Sequence, residues 1–209
     1  MIKRAFDIAM AGMALILLTP LLVVVALLIK IESRGPALFR QERVGQGGKA
    51  FTINKFRTMR LHTTGRTIST SSDARVTRFG RLLRKSKVDE LPQLLNVLGG
   101  TMSLVGPRPE LPKYVALWPP DRRDLILSGR PGITDPASVA LRNESELLER
   151  ATDPERFYID ELLPRKTAMY VEYVHTRSLV EDLKIIMRTT AKIVRKFLNL
   201  TSRQRVGRL

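Results

Sequence analysis

The sequence predicts a mostly helical α/β fold with few short strands, one compact domain carried on an N-terminal membrane helix and flanked by amphipathic interfacial helices. Three observations lead there. An uncharged run of 22 residues, Ile8 to Ile29, is long enough to meet a bilayer. Short extended stretches follow it around a glycine-rich turn, and the C-terminal third is a basic, amphipathic helical zone.

The apolar run is interrupted only by Gly12, Thr19 and Pro20. At about 1.5 Å per residue it covers roughly 33 Å as a helix, enough for a bilayer core. Lys3 and Arg4 precede it, and Lys30 and Arg34 follow it. A soluble core helix is seldom so apolar on every side. No small-residue cleavage pattern follows, as a secretory signal would require. Pro20 removes one backbone donor and predicts a kink, with the Thr19 hydroxyl available to a freed carbonyl. Two topologies fit: a bent helix that spans, or a hairpin that enters and leaves by one face. Basic flanks at both ends agree with the hairpin, and the residues alone leave the choice open.

In the body, Ala37–Val44 and Phe51–Met59 read as extended or mixed segments around Gly45-Gln46-Gly47-Gly48. Ser69–Asp73 is polar and reads as a loop. Val76, Phe79, Leu82 and Leu83 fall at helical spacing. Pro92–Leu98 reads as a short helix stopped by Gly99-Gly100, and the chain then turns through Gly106-Pro107-Arg108-Pro109. The last helical zone starts at Pro154, breaks at Pro164 and resumes over residues 166–198. It sets Leu183, Ile186, Met187, Val194 and Phe197 on one face, with Lys184, Arg188, Lys192, Arg195 and Lys196 over much of the rest. Such a helix suits either an anionic membrane surface or a core with a wet basic back.

Charge narrows the partners. Lys and Arg number 36 against 20 acidic residues, a net +16. That balance selects polyanions: nucleic acid, anionic lipid or phosphorylated substrates. Aromatic residues are only 6% and no recognition motif appears, so nucleic acid is not an expected partner. Without cysteine there are no disulfides or thiolate metal sites, and His62 and His175 alone make no zinc site. P-loop, GxGxxG, HExxH and GxSxG patterns are absent, which removes the commoner phosphate, metal and serine-hydrolase routes.

The sharpest local feature is the carboxylate pair Asp89-Glu90, just before a helix whose first turn holds Pro92. Unpaired amides and the helix dipole there favour an anion by about 0.3–1 kcal/mol. The same environment draws a phosphate and keeps an aspartate ionised, as a nucleophile requires. Taken alone, capping by Asp is the simpler reading. The surroundings add to the pair: Arg78, Arg81, Arg84, Lys85 and Lys87 crowd the preceding segment, and Arg108 is held between Pro107 and Pro109. An arginine fixed in that way loses little entropy when its guanidinium grips a phosphate. A metal held by a carboxylate would neutralise a diphosphate during transfer.

Four ordered motifs carry a resemblance: Phe39-Arg40-Gln41-Glu42-Arg43-Val44-Gly45; Lys55-Phe56-Arg57-Thr58-Met59; Arg84 through Asp89-Glu90-Leu91-Pro92-Gln93; and Met102-Ser103-Leu104-Val105-Gly106-Pro107-Arg108-Pro109. Over nearly its whole length the chain resembles the bacterial sugar transferase family, monotopic phosphoglycosyl transferases that begin glycan assembly on undecaprenyl phosphate. The resemblance implies two parts. Residues 1–31 would form a re-entrant membrane helix broken at Thr19-Pro20. Residues 32–209 would form the transferase domain, on the cytoplasmic face of the bacterial inner membrane. It implies Asp89 as nucleophile followed by Glu90, with phosphate held by Arg84 and Arg108 and, within their motif, Lys55 and Arg57. It also implies Mg2+, with Asp89 as ligand, and a nucleotide-sugar (a UDP-sugar), polyprenyl phosphate and anionic membrane lipids as partners. The implied reaction moves a phosphosugar to the polyprenyl phosphate through an aspartyl intermediate, releasing nucleoside monophosphate.

Three segments depart from the family pattern. Thr101 stands where Asp is common, and the Asp-Ala-Glu-like stretch is missing at Leu61–Gly65. Asp135–Asn143 replaces a Trp-Ala-Gln-Val-Asn-Gly-Arg-like segment. The last lies away from the expected dyad and so bears on sugar choice rather than reaction type. Two other classes of function compete. A membrane-anchored nucleic-acid binder would explain the charge, and a catalytically silent scaffold would keep the fold, but the intact Asp89-Glu90 pair argues against the scaffold.

Overall fold

The structure is a computed structural model describing residues 1–60, 73–141 and 143–206, with side chains in the last helix described as far as Lys192. The departure at Leu61–Gly65, most of the Ser69–Asp73 loop, Arg142, and the side chains of Val194, Arg195, Lys196 and Phe197 lie outside the described residues.

Helix α1 (Ile2–Glu32) is, among the described residues, the one helix long and apolar enough to cross a membrane. It runs without interruption through Thr19 and Pro20, where the sequence predicts a break. The Thr19 hydroxyl donates to the Leu15 carbonyl at 2.6 Å. That is the ordinary bond of a helical threonine to its own preceding turn, and it does not reach Ile16, whose carbonyl loses its partner to Pro20. Buried positions on α1 come in two pairs, Asp7 and Ala11, then Val25 and Ile29. The middle stands clear of the body, with Ile16 77% and Leu17 71% exposed.

Both pairs pack against the same body. Ala11 sits with Ile53, Leu94, Val97 and Met102. Val25 and Ile29 sit with Phe56 and Leu83. The helix is thus long and apolar enough to meet a membrane and, by packing, a piece of the core.

Strands β1 (Leu38–Val44) and β2 (Ala50–Phe56) form the expected hairpin, antiparallel with Leu38 opposite Phe56 and Val44 opposite Ala50. Gly47 and Gly48, at φ +65° and +75°, let the turn close where an L side chain would be strained. Helix α2 (Arg78–Ser86) is capped by Thr77, whose hydroxyl accepts the Gly80 amide. A 3-10 turn (Val88–Gln93) leads into α3 (Leu94–Leu98). The chain turns at Gly100 into β3 (Ser103–Val105), which pairs in parallel with β4 (Gly132–Thr134) across α4 (Pro112–Val115) and α5 (Pro120–Leu127).

After β4 come α6 (Pro136–Ala140), α7 (Glu144–Arg150), α8 (Pro154–Phe157), a π turn (Tyr158–Leu162), α9 (Leu163–Thr176) and α10 (Leu179–Val206). The predicted break at Pro164 is absent, because that proline lies in the first turn of α9, where the π turn has already shifted the hydrogen-bond register. The real break is at Arg177-Ser178, and Ser178 accepts the Glu181 amide at the start of α10. Trp118, Tyr158, Leu162 and Tyr170 build the largest core cluster of this half. On α10 the inward positions are Asp182 and Ile185, while Leu183 and Met187 of the predicted apolar face are exposed at 43% and 63%.

Candidate active site

Asp89 and Glu90 lie inside the 3-10 turn, both buried. The residue that starts this turn is Lys87, held at φ +60° between α2 and the turn. A left-handed non-glycine residue costs about 1–2 kcal/mol. Asp89 is therefore no helix cap, and its Oδ1 is buried without a hydrogen-bond partner. The site stores free energy twice, once in the backbone and once in an unsatisfied carboxylate oxygen.

Glu90 is the opposite case. Arg108 Nη2 donates to its Oε1 at 2.5 Å and Nη1 to its Oε2 at 3.4 Å. Lys87 and Lys55 place Nζ 3.6 and 3.7 Å from Oε1. Burial opposes ionisation of Glu90, but Arg108, Lys87 and Lys55 outweigh it and hold the carboxyl well below its usual range. In return, Glu90 keeps Arg108 firmly charged despite burial.

Burial pushes Asp89 up to about 6, and the charge of Glu90 adds to that; Lys55, Lys87 and Arg84 pull the other way. The shift opposes the expected effect of a helix start, yet a carboxyl at about 6 is still mostly ionised at neutral pH, as a nucleophile requires. The 3-10 turn is too short to offer much dipole, and desolvation wins. Burial lowers Lys55 to about 8, with Glu90 and Asp89 only partly restoring it.

The expected site residues divide between two places. Lys55 on β2, Arg84 on α2, Arg108 and the dyad come together. Arg84 is half-buried, with Nε bonded to Thr58 Oγ1 at 2.9 Å. Burial lowers its pKa, and the charge of Asp89 partly restores it. That approach depends on Gly80, where a Cβ would meet the Thr58 carbonyl at 2.2 Å. Arg57 is elsewhere. Its guanidinium donates to the carbonyls of Arg34, Ser33 and Ile29, closing the C-terminal end of α1. The expectation that Arg57 binds phosphate is corrected accordingly: those open carbonyls take its donors first.

Pro107 and Pro109 are both buried and frame Arg108 as expected. What sets the turn is the β3–β4 pairing, which continues through Gly106 N to Thr134 O and Gly132 N to Pro107 O. A Cβ on Gly132 would lie 2.1 Å from the Gly106 nitrogen, so both strands need glycine there. The same pairing brings the first residue of the Asp135–Asn143 segment toward Arg108. Asp135 is fully buried directly after β4, caps α6 through the Ser138 amide, and its charge acts on Arg108. Thr101, in contrast, bonds Asn96, which ties α3 to β2.

Several residues of the site's surroundings were not read from sequence. Glu110 accepts the Tyr158 hydroxyl at 2.5 Å and lies 3.7 Å from Arg43 and 3.8 Å from Lys166, a buried polar network behind Arg108. Asp7 and Asp182, at the two ends of the chain, are both nearly inaccessible. Asp7 stands one residue before the apolar run, the only hint its position gave.

Among the described residues no three His, Cys, Asp or Glu side chains converge as a metal-binding group. The unpartnered Asp89 Oδ1 does fit one ligand of a hydrated Mg2+, which needs only one or two protein carboxylates beside substrate phosphate and water.

The family model for bacterial sugar transferases matches residues 1–196. The chain is 41% identical over 206 residues to the UDP-glucose:undecaprenyl-phosphate glucose-1-phosphate transferase of Caulobacter vibrioides, covering 92% of this chain and 69% of that one. It is 35% identical over 197 residues to the protein of the same name in Escherichia coli, covering 92% and 40%. A putative undecaprenyl-phosphate N-acetylgalactosaminyl 1-phosphate transferase of Bacillus subtilis is 46% identical over 115 residues, 54% of this chain and 64% of that one. The chain spans about 40% of the Escherichia coli relative's length. With the fold, the dyad and these relatives together, the chain belongs to the bacterial sugar transferase family of enzymes.

Proposed function

We propose that the protein transfers a phosphosugar from a UDP-sugar to undecaprenyl phosphate through a covalent intermediate on Asp89. The observation that carries this reading is the unpartnered, buried Asp89 Oδ1 beside a Glu90 already committed to Arg108. A carboxylate held without hydrogen bonds in a cationic recess is a nucleophile with little solvation to lose. Names of the relatives supply the substrate classes.

In the first step an Asp89 oxygen attacks the phosphorus bonded to the sugar. The bond from that phosphorus to the bridging oxygen breaks, and uridine monophosphate leaves with the electron pair. In the second step a phosphate oxygen of the lipid carrier attacks the same phosphorus, forming the lipid-linked diphosphosugar and freeing Asp89. Lys55, Lys87 and Arg84 offset charge on the phosphoryl oxygens, and Arg108 keeps Glu90 ionised and in place. Mg2+ at Asp89 Oδ1 would add charge neutralisation on the diphosphate.

The membrane arrangement that agrees best is re-entrant, with the body on the cytoplasmic face of the inner membrane. α1 is about 46 Å long. Yet Arg4 near its start bonds the end of α3, and Ile29 near its finish is held by Arg57. A helix crossing a bilayer with the body on one side would carry one of these ends out of reach. The exposed middle around Ile16 and Leu17 is then the part offered to lipid, and Leu183 and Met187 on α10 suit the interface.

The test is to incubate the purified protein with single nucleotide-sugars and measure nucleoside monophosphate. Without lipid acceptor, release should stop near one equivalent per enzyme; with undecaprenyl phosphate it should turn over. Release that strictly requires acceptor would replace the covalent route with direct transfer.

A further inference from the structure

The first turns of α1 carry three charged residues for which the chemistry above has no use: Lys3, Arg4 and Asp7. A membrane anchor needs only that such groups reach the headgroups. Here all three turn inward. Arg4 donates to the carbonyls of Val97 at 2.7 Å and Leu98 at 3.1 Å, closing the end of α3, which continues directly from the dyad turn. Asp7, 3% exposed, accepts the Ser103 hydroxyl at 2.8 Å and the Leu104 amide at 3.2 Å. Lys3 donates to the Val105 carbonyl at 3.1 Å and pairs with buried Asp182.

Those partners have a shared destination. Ser103, Leu104 and Val105 are the whole of β3, and β3 runs straight into Gly106-Pro107-Arg108-Pro109. The helix start therefore grips both halves of the ion pair from behind, the element that presents Glu90 and the strand that presents Arg108. A buried carboxylate bonded to two neighbouring donors fixes a strand more tightly than apolar packing, because a slip leaves charge and donors unpaired together.

We propose that Asp7 is a positioning residue for the Glu90–Arg108 pair, acting through Ser103 and β3. The membrane helix is then part of the active site as well as its anchor. The proposal rests on the transferase reading for its kinetic arm only.

Asp7→Ala, Ser103→Ala and the double variant are compared with the parent in two measurements. The first is donor-only release of nucleoside monophosphate, followed as a single turnover over a range of donor concentrations. Each single change is expected to lower the rate about tenfold, in the range of losses from small misplacements. The double change should be scarcely worse, and both should lower the rate at saturating donor far more than they change the donor concentration that half-saturates it. The second is amide hydrogen exchange, which needs no activity. Protection should fall from Leu104 through Arg108 in each variant and stay at its parental level in α9. If Asp7→Ala does not fold, Asp7→Asn and Ser103→Ala carry the comparison. Parental exchange and rate in Ser103→Ala would overturn the proposal, since an anchoring Asp7 has no need of that hydroxyl. A parent that releases no nucleoside monophosphate, with exchange changed as expected, would instead remove the transferase reading and leave the positioning role in place.

Discussion

Arg108 bonds Glu90 through both terminal nitrogens and leaves Asp89, the next residue back, with an unpartnered oxygen. Two adjacent carboxylates thus enter opposite states, one pinned as an anion and one pushed toward its acid. Glu90 is thereby committed to Arg108, and Asp89 is the carboxyl left free of a hydrogen bond at its buried oxygen.

Asp89→Asn should abolish transfer and raise stability. The carboxyl of Asp89 rises from 3.8 to about 6 on folding, so the fold prefers its protonated form. That preference stabilises fully below the unfolded value and is lost as pH rises through about 6. Above that, the ionised group weighs against the fold, and neutral Asn removes the penalty. Thermal unfolding near pH 7.5 should show the variant more stable by about 1–3 kcal/mol, with the gap closing below about pH 4. Retained activity would exclude Asp89 as the nucleophile.

The pH profile of kcat/KM should be bell-shaped. Its acid limb belongs to the coupled carboxyl pair and should lie near the value for Asp89, about 6. Its basic limb should follow the loss of charge on Lys55, about 8. Lys55→Arg should retain part of the rate and carry the basic limb upward by more than a unit. An unmoved limb would assign it to another group.

Replacing Arg84 or Arg108 by Lys should cut kcat/KM at least tenfold despite the kept charge. Arg108→Lys loses the two-nitrogen grip on Glu90. Arg84→Lys loses the Nε bond to Thr58 that aims the side chain. Arg57→Lys should behave differently, lowering thermal stability through the end of α1 while the surviving folded fraction keeps its KM. Equal kinetic losses in all three would put Arg57 back among the substrate contacts.

Changing Thr19 to Leu and Pro20 to Ala should restore a full helical ladder and favour a straight span. A single cysteine at Ile2, probed in intact cells with a reagent that cannot cross the inner membrane, reads the topology. Protection in the parent and labelling in the double variant are expected. Labelling of the parent would remove the re-entrant arrangement.

The hairpin, α2 and the Gly99-Gly100 stop were legible because turn glycines and 3.6-residue spacing are local signals, and both hold in the structure. The gathering of Lys55, Arg84 and Arg108 around the dyad came from ordered motifs. Arg57 misled because its motif neighbours Lys55 and Thr58 do reach the site, and only tertiary contact shows its donors turned to α1. The break before α10 had a signal, Ser178 with Glu181 three residues on, but Pro164 was the louder one. Asp89's shift was illegible for a deeper reason: desolvation depends on everything packed around a group, and no spacing rule encodes that.

On the membrane arrangement proposed above, lipid and protein interior compete for a single helix, because Ala11, Val25 and Ile29 fill the same clusters as Ile53, Leu94, Phe56 and Leu83. Extraction should then also be partial denaturation. A detergent that wraps α1 too greedily should draw a wall out of the hairpin and out of the layer beneath the dyad, and the lost activity should not return when lipid is added back. A bilayer-mimicking disc, which meets α1 only on its outward side, should keep enzyme that micelles lose.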